Sequence, residues 1–328
     1  MKRPEKNQSG VALMVVLWII VLLTALATEF VSAMKTEVHT TRNYKEDIES
    51  YNLAKAGINL AMAELLKTAR FHSSNSAYGF IVGKVPILSN QPQASNQANQ
   101  TSEPVAEFDI IQRTDIPLGA GTVSYTIQDE NGKVNVNTAS RELLIKVLMT
   151  SGVEVGELRD VIADSILDWI DGDDNFRLNG AETEYYQSLN PPYKPKNGVI
   201  YSVDELIRVK GITEEILYGS AQTDSGATYV GLDKFLTVLN VSSVNPNTAS
   251  PQILLLYYPP EQVRQIVETR ETKGYFSNTV STHFKITATG RIANSKTNHT
   301  VVAIIEKLGN TNEATLLIRY WNDNAINL

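Results

Sequence analysis

Val11-Ala-Leu-Met-Val-Val-Leu-Trp-Ile-Ile-Val-Leu-Leu-Thr-Ala-Leu-Ala-Thr28 carries no charge over eighteen residues and follows directly on Gly10. As a helix this run rises about 27 Å, at ~1.5 Å per residue, against a bilayer core of ~30 Å. In front of it stands a short basic leader, Met1-Lys-Arg-Pro-Glu-Lys-Asn-Gln-Ser-Gly10, where Lys2, Arg3 and Lys6 outweigh Glu5. The rest of the chain is polar enough for a water-exposed head. Three fates of the run fit these facts. A secretory signal would be cut at Val31-Ser32-Ala33, although its apolar stretch is usually ~7–15 residues. A plain anchor would keep the basic flank in the cytoplasm. A prepilin-like signal would be cut between Gly10 and Val11 and leave the apolar helix in place.

Outward from this run the helical pattern continues. Ile48, Tyr51, Ala54, Ile58, Ala61 and Leu65 recur at spacings of three and four, which lines them along one helix face. Between Pro4 and Pro86 there is no proline to break the rod. The sequence therefore predicts one helix over 11–70, its first part (11–31) in the membrane; an ordinary core helix behind a separate anchor is the plainer alternative. Residues 71–132 form a first α/β segment that reads as extended over 71–128, with strands at Tyr78–Val85, Val105–Ile111 and Gly121–Ile127. Ser89 to Ser102 lacks aromatic and large aliphatic residues and reads as a flexible loop.

A mainly helical block follows over 133–240. Asn137 or Thr138 is placed to cap a helix through Leu148. Glu154–Ile170 carries Leu158, Ile162, Ile166 and Trp169 at helical spacing. Ser202 and Glu205 have the spacing of a capping box. Residues 241–328 return to a mixed pattern, with strands over His283–Gly290, Val301–Lys307 and Leu316–Trp321. A repeat frames the block: Val134-Asn-Val-Asn-Thr-Ala-Ser140 recurs as Val244-Asn-Pro-Asn-Thr-Ala-Ser250. It marks two similar strand-to-helix transitions.

The 328 residues carry a net charge of −7 and no cysteine. Disulfides, thiolate metal sites and a cysteine nucleophile are thereby excluded. An acidic chain is a poor ligand for polyanions, whose recognition needs clustered Lys and Arg. It suits divalent cations, and a metal is one staple for an exported domain without disulfides.

The densest chemistry lies between Asp168 and Glu184. Counted from Asp171, oxygen side chains fall at positions 1, 3, 5 and 9 (Asp171, Asp173, Asn175, Asn179), Glu182 falls at 12, and the carbonyl of Arg177 at 7. These are the ligand positions of an EF-hand calcium loop, with aliphatic Leu178 at position 8. Position 6 departs from the pattern: it is Phe176 where the sharp turn calls for glycine. The loop would then curl differently, or two ions would share the cluster. A solvated acidic loop remains the alternative, at the cost of mutual repulsion among Asp168, Asp171, Asp173, Asp174, Glu182 and Glu184. Glycosidase chemistry by two of these carboxylates needs an aromatic-lined sugar cleft, and the three tryptophans lie far apart. Leu206-Ile-Arg-Val-Lys-Gly-Ile212 has the look of a helix-hairpin-helix turn. Its only basic residues are Arg208 and Lys210, with Glu214 and Glu215 close behind.

Taken together, these motifs resemble the type II secretion minor pseudopilins of the general secretion pathway protein K family. The carriers are Gly10-Val-Ala-Leu-Met-Val-Val-Leu-Trp18, Asp168-Trp-Ile-Asp-Gly-Asp-Asp174, Arg177-Leu-Asn-Gly-Ala-Glu182, Pro191-Pro-Tyr-Lys-Pro-Lys-Asn197, Ser202-Val-Asp-Glu-Leu206 and both Asn-Thr-Ala segments. The resemblance implies an α+β pseudopilin fold: a long amino-terminal helix packed on an antiparallel sheet, with a large helical domain inserted. It implies prepilin peptidase cleavage after Gly10 and methylation of Val11. It implies two calcium ions in the inserted domain. Asp171, Asp173, Asn175, Arg177, Asn179 and Glu182 match as ligands, and Asp168, Asp174 and Glu184 are left for a second ion. The implied partners are other minor pseudopilins, the major pseudopilin and the inner membrane, with the head in the periplasm. Nucleic acid is not among them. The fifth mature residue is Val15, where most pilin-like subunits carry a glutamate that pairs with the neighbouring amino terminus. A subunit without it fits a fibre tip. A helix-hairpin-helix DNA-binding membrane protein of the DNA-uptake type is the alternative function.

Overall fold

A computed structural model describes residues 9–67, 72–73, 81–82, 84–86, 108–220, 228–241, 243–273, 275–309 and 314–323. Helix α1 (Ser9–Lys67) leads into short strands β1 (His72–Ser73), β2 (Ile81–Val82), β3 (Lys84–Pro86), β4 (Phe108–Ile110) and β5 (Ile116–Leu118). Then come β6 (Gly121–Asp129), β7 (Val134–Asn135), α2 (Arg141–Thr150), α3 (Glu157–Ile170), α4 (Thr183–Gln187) and α5 (Glu214–Tyr218). The chain continues through β8 (Gly219–Ser220), β9 (Tyr229–Val230), β10 (Leu236–Thr237), α6 (Pro251–Leu254) and α7 (Pro260–Lys273), and ends in β11 (His283–Ile292), β12 (Asn298–Leu308) and β13 (Thr315–Asn322). The expected loop Ser89–Ser102 and the leader Met1–Gln8 lie outside the described residues. Of the strands expected at 78–85 and 105–111, the described parts are β2, β3 and β4, and β3 pairs with β4.

Helix α1 is unbroken over 59 residues, as the absence of proline predicts. Its two halves live differently. The apolar part has a mean hydropathy of 2.8 and no buried residues, which makes it a candidate membrane span. The second half lies on a five-stranded antiparallel sheet of order β13-β12-β11-β6-β5. Ala54, Ile58, Ala61 and Leu65 are buried there against Tyr125, Ile127, Phe284, Ile286, Val301 and Ile305. Ile48, expected on this face, is instead 41% exposed; in this turn of the helix it is Glu46, bonded to Ser295, and buried Ser50 that meet the head. Contact is close: a Cβ added at Gly290 of β11 would stand 2.1 Å from the Ser50 carbonyl oxygen. At the far end, the Lys307 ammonium donates to the Leu65 carbonyl at 2.6 Å, filling an acceptor that the helix terminus leaves open. Strand β6 alternates as predicted, with Val123, Tyr125 and Ile127 buried on one face.

The helical body departs from the sheet at Lys133. Parallel pairing of β7 with β10 sets Val134 beside Leu236, so the intervening hundred-odd residues begin and end at one place. Its apolar core includes Leu144, Leu148, Ile162, Ile166, Trp169, Tyr186, Leu206 and Phe235. The same core continues past residue 240 through Ile253, Leu254, Val263 and Ile266, and the sheet resumes only at His283. The two repeats adopt one local structure. In each, the first asparagine's Oδ1 accepts the second asparagine's backbone N–H at 3.0 Å (Asn135 to Asn137, Asn245 to Asn247). In each, the serine caps the next helix, Ser140 accepting from Leu143 N and Ser250 from Ile253 N. The cap of α2 is thus Ser140, not Asn137 or Thr138; Asn137 is committed to gripping both backbone groups of Ile200. Leu158 is 44% exposed, because it lies in the first turn of α3, outside the core. Ser202 does cap a short 3-10 helix over Val203–Arg208. Glu205 reaches Tyr201 N rather than Ser202 N, so the capping box does not close.

Candidate metal centre

Helix α3 ends on an aromatic platform. The indole of Trp169 meets Tyr186 edge-on, with ring centroids 5.2 Å apart, and Tyr186 meets Tyr193 at 5.3 Å. Trp169 Nε1 donates to Glu205 Oε1 at 3.0 Å, and Lys196 holds the other Glu205 oxygen at 2.7 Å. Over this platform the chain turns from Asp171, the C-cap of α3, to Glu182 ahead of α4.

Several acids in and before the turn have their own partners. Asp164 is held by Arg141 at 2.5 Å and by the Asn179 amide at 3.1 Å. Burial pushes its carboxyl up, but these bonds prevail and hold it below the usual range. Asp168 is fully buried and accepts from Arg177 N, Ala181 N and the Arg177 guanidinium at 3.1, 2.9 and 2.6 Å. Burial still outweighs those bonds and raises it. The backbone must come very near to do this: a Cβ at Gly180 would lie 1.8 Å from Asp168 Oδ2. The same guanidinium nitrogen reaches Asp171 Oδ2 at 2.5 Å. Asp173 accepts from the backbone of Asn175 at 2.8 Å and is lowered by it. Asp174 accepts from Thr183 at 2.7 Å. Glu184 is exposed in the first turn of α4.

Glu182 stands apart. It is 4% exposed, and neither carboxylate oxygen has a hydrogen-bond partner. Burial, followed by the charges of Asp168, Asp171, Asp174 and Asp173, pushes it up to about 7. Asp171 Oδ1 and Asn197 Oδ1 are likewise buried without partners. Asn197 belongs to the segment after the Pro191-Pro-Tyr motif, in a left-handed conformation with φ 45°. Its amide is tied to the loop by a 2.9 Å bond to the Asp173 carbonyl. Spacing within the acidic run gives no hint of Asn197, because it comes from fifteen residues further along the chain.

The loop does not take the EF-hand path. Leu178, which would pack inward at position 8, is 93% exposed. Phe176 is not among the left-handed residues of the described chain, so position 6 makes no glycine-like turn. The Arg177 carbonyl, the expected ligand at position 7, accepts Gly180 N at 2.9 Å, and its side chain points into the acids. Among the described residues, no three His, Cys, Asp or Glu side chains stand grouped as ready metal ligands. The donor chemistry nevertheless fits a hard cation. Asp171, Glu182 and Asn197 leave buried oxygens uncommitted, and calcium takes only oxygen ligands. A buried carboxylate with no donor at all costs several kcal/mol, about 3–5 when left uncompensated. Such an arrangement is what an oxygen-bound cation relieves.

The hairpin at Leu206–Ile212 offers little to a phosphate. The Lys210 ammonium is turned inward, donating to the Gly180 carbonyl at 3.1 Å and lying 4.8 Å from the Tyr185 ring centroid. It braces the loop that carries Glu182.

Residues 123–219 match the family model for the type II secretion system protein K. A putative type II secretion system protein K of Escherichia coli K12 is 26% identical over 225 residues, covering 65% of this chain and 60% of that protein. The type II secretion system protein K of Pseudomonas aeruginosa is 24% identical over 286 residues, covering 83% of this chain and 75% of that one. The Aeromonas hydrophila protein K is 23% identical, covering 82% and 78%. The chain thus spans between three fifths and about four fifths of these relatives' lengths. Among solved structures, the GspK–GspI–GspJ complex of enterotoxigenic Escherichia coli aligns with 90% of this chain and 100% of the matched one, at 15% identity and a TM-score of 0.49.

Proposed function

We propose that this chain is a minor pseudopilin of the type II secretion system protein K family, whose family model and relatives it matches, and that it initiates and caps the tip of the periplasmic pseudopilus that drives export of folded proteins. The observation that carries this reading is the division of α1. One continuous helix leaves its uncharged half bare and clamps its second half to the sheet. A subunit built this way is held in the inner membrane before assembly and lends the same helix to a fibre afterwards. Prepilin peptidase cuts after Gly10, Val11 becomes the methylated amino terminus, and the head faces the periplasm.

Val15 supports the tip position. It is apolar and exposed on α1. It lacks the carboxylate that would pair with the amino terminus of a neighbouring subunit, and an unpaired carboxylate at this depth is costly. Beyond the uncharged run, Phe30, Val31, Met34 and Val38 remain exposed. They offer an apolar stripe for the helices of other minor pseudopilins and of the major pseudopilin. The role is structural, and the acidic loop serves it by holding calcium. Glu182, Asp171 and Asn197 are the ligands best placed, with Asp173, Asp174, Asn175, Asn179 and Glu184 around them. The ion supplies the positive charge that lets buried carboxylates stay ionised, locking α3, the loop and α4 together.

Two measurements test this. The mass of the mature amino terminus should correspond to methyl-Val11; cleavage after Ala33 would exclude a retained helix. Gold label on the head should mark one end of isolated fibres. Label spread along the shaft, or equal incorporation of Val15→Glu and wild type along it, would remove the tip role.

A further inference from the structure

We propose that Arg177 is the resident counter-cation of the metal-free loop and competes with calcium for Asp171. The inference rests on the calcium reading given above and deepens it. A single nitrogen, Arg177 Nη1, stands 2.6 Å from Asp168 Oδ1 and 2.5 Å from Asp171 Oδ2. The guanidinium thereby neutralises two acids of the cluster, while Glu182 is left with nothing on either oxygen. The compensation is therefore partial, as in a site awaiting a second charge.

The two carboxylates held by Arg177 differ in what would remain without it. Asp168 keeps the backbone donors Arg177 N and Ala181 N. Asp171 has no other bond, since its Oδ1 is already orphaned. Asp171 is thus the carboxylate free to change partner. Arg177 has room to let go: its side chain is 38% exposed, against 0% for Asp168. Exchange at Asp171 replaces one positive charge by two at similar range, which favours the divalent ion in proportion to charge. Breaking the guanidinium bond is the opposing term. Arg177 therefore lowers calcium affinity, protects the loop when calcium is scarce and makes occupancy depend on the free calcium level.

The test uses the full chain in detergent micelles, with calcium chloride titrated calorimetrically and melting followed in chelator and in saturating calcium. Arg177→Gln should bind calcium about tenfold more tightly than wild type. It should melt lower in chelator and close most of that gap when loaded. Arg177→Lys, which keeps the charge but reaches only one carboxylate at a time, should tighten binding about threefold and stands in should Arg177→Gln fail to fold. Unchanged or weaker binding by both variants, or an equal melting loss with and without calcium, would make Arg177 a simple brace and overturn the inference alone. If wild type itself shows neither calcium heat nor a chelator-dependent melting point, the calcium reading falls and takes this inference with it.

Discussion

Asp129 and Glu182 are both buried carboxylic acids raised by burial, yet they are opposites in company. Asp129 closes β6 at the junction of sheet and helical body. Its Oδ2 accepts from Thr248 at 2.5 Å, from Ser281 and from Asn245, and its Oδ1 accepts Asn131 N at 2.9 Å. These donors oppose the burial penalty and leave it at about 6. Glu182 has no donor, is surrounded by other acids and rises to about 7. A saturated acid of the first kind is a structural knot: β6, the second repeat and the approach to β11 are tied through one side chain. An acid of the second kind is destabilising as it stands, and a cation is the partner that its oxygens suit.

The largest effect should come from untying the knot. Asp129→Ala strands three side-chain donors and one backbone N–H in the interior. A loss of about 3–5 kcal/mol is expected from removing one member of a buried charged network. At ~2–4 °C per kcal/mol for chains of this order, the melting point should fall by roughly 10 °C or more. Calcium affinity measured on the folded fraction should not change. Glu182→Gln should do the reverse. It should abolish most calcium binding, weakening it about a hundredfold, which corresponds to ~2.7 kcal/mol. The chelated protein should melt no lower than wild type, because an unpaired buried charge has been removed. Equal melting losses from the two substitutions in chelator would erase the distinction drawn here.

Acidity sharpens the comparison next. Both groups have folded values above their ordinary 3.8 and 4.5. As pH rises, the unfolded chain gives up these protons first, so the folded state holds the excess and stability declines with pH. For Asp129 the decline spans about 3.8 to 6, and for metal-free Glu182 about 4.5 to 7. Urea midpoints taken in chelator should therefore fall from pH 4.5 to 7 and then level. In calcium the upper part of that fall should vanish, since the ion requires the carboxylate form. Asp164 and Glu205, both held low by their partners, act in the opposite sense and lose their contribution only at more acid pH. A chelator-independent profile would mean that Glu182 carries no ligand.

Much of the architecture was legible in the chain because it rests on local regularities. The absence of proline up to Pro86 predicts α1, and strict alternation predicts β6. The three closing strands differ from their predicted bounds by a few residues at most. The site was legible only in part. Spacing draws attention to the acidic loop and to Glu182, which the fold leaves buried and without a hydrogen-bond partner. It does not foresee Arg177, whose carbonyl was the expected ligand and whose side chain instead bridges Asp168 and Asp171. That reversal depends on Asp168, which lies before the first position of the pattern. Asn197 carries no signal of its own in the sequence and stands only at the end of the Pro191–Asn197 motif. Its approach to the loop depends on its own left-handed backbone and on the Asp173 carbonyl, a contact that no local window contains. Asp129 gave no signal either: three of its four donors come from residues more than a hundred positions away.

The two Asn-Thr-Ala-Ser repeats allow the finest cut, because their threonines differ in one bond. Thr138 and Thr248 occupy the same place in identical turns, and each hydroxyl lies 3.5 Å from the carbonyl of its own first asparagine. Thr248 alone also donates to an acid, Asp129. Hydrogen bonds to charged groups are worth about 1.5–3 kcal/mol, against ~0.5–1.5 for neutral ones. Thr248→Val should therefore cost roughly 2 kcal/mol and raise Asp129 further, since one of the donors opposing burial is gone. Thr138→Val, at an exposed position with no acid, should stay within about 0.5 kcal/mol. Denaturation of both variants at pH 5 and 7 decides the point. The Thr248→Val deficit should grow with pH, and a deficit independent of pH would assign the loss to packing of the threonine methyl and not to its bond with Asp129.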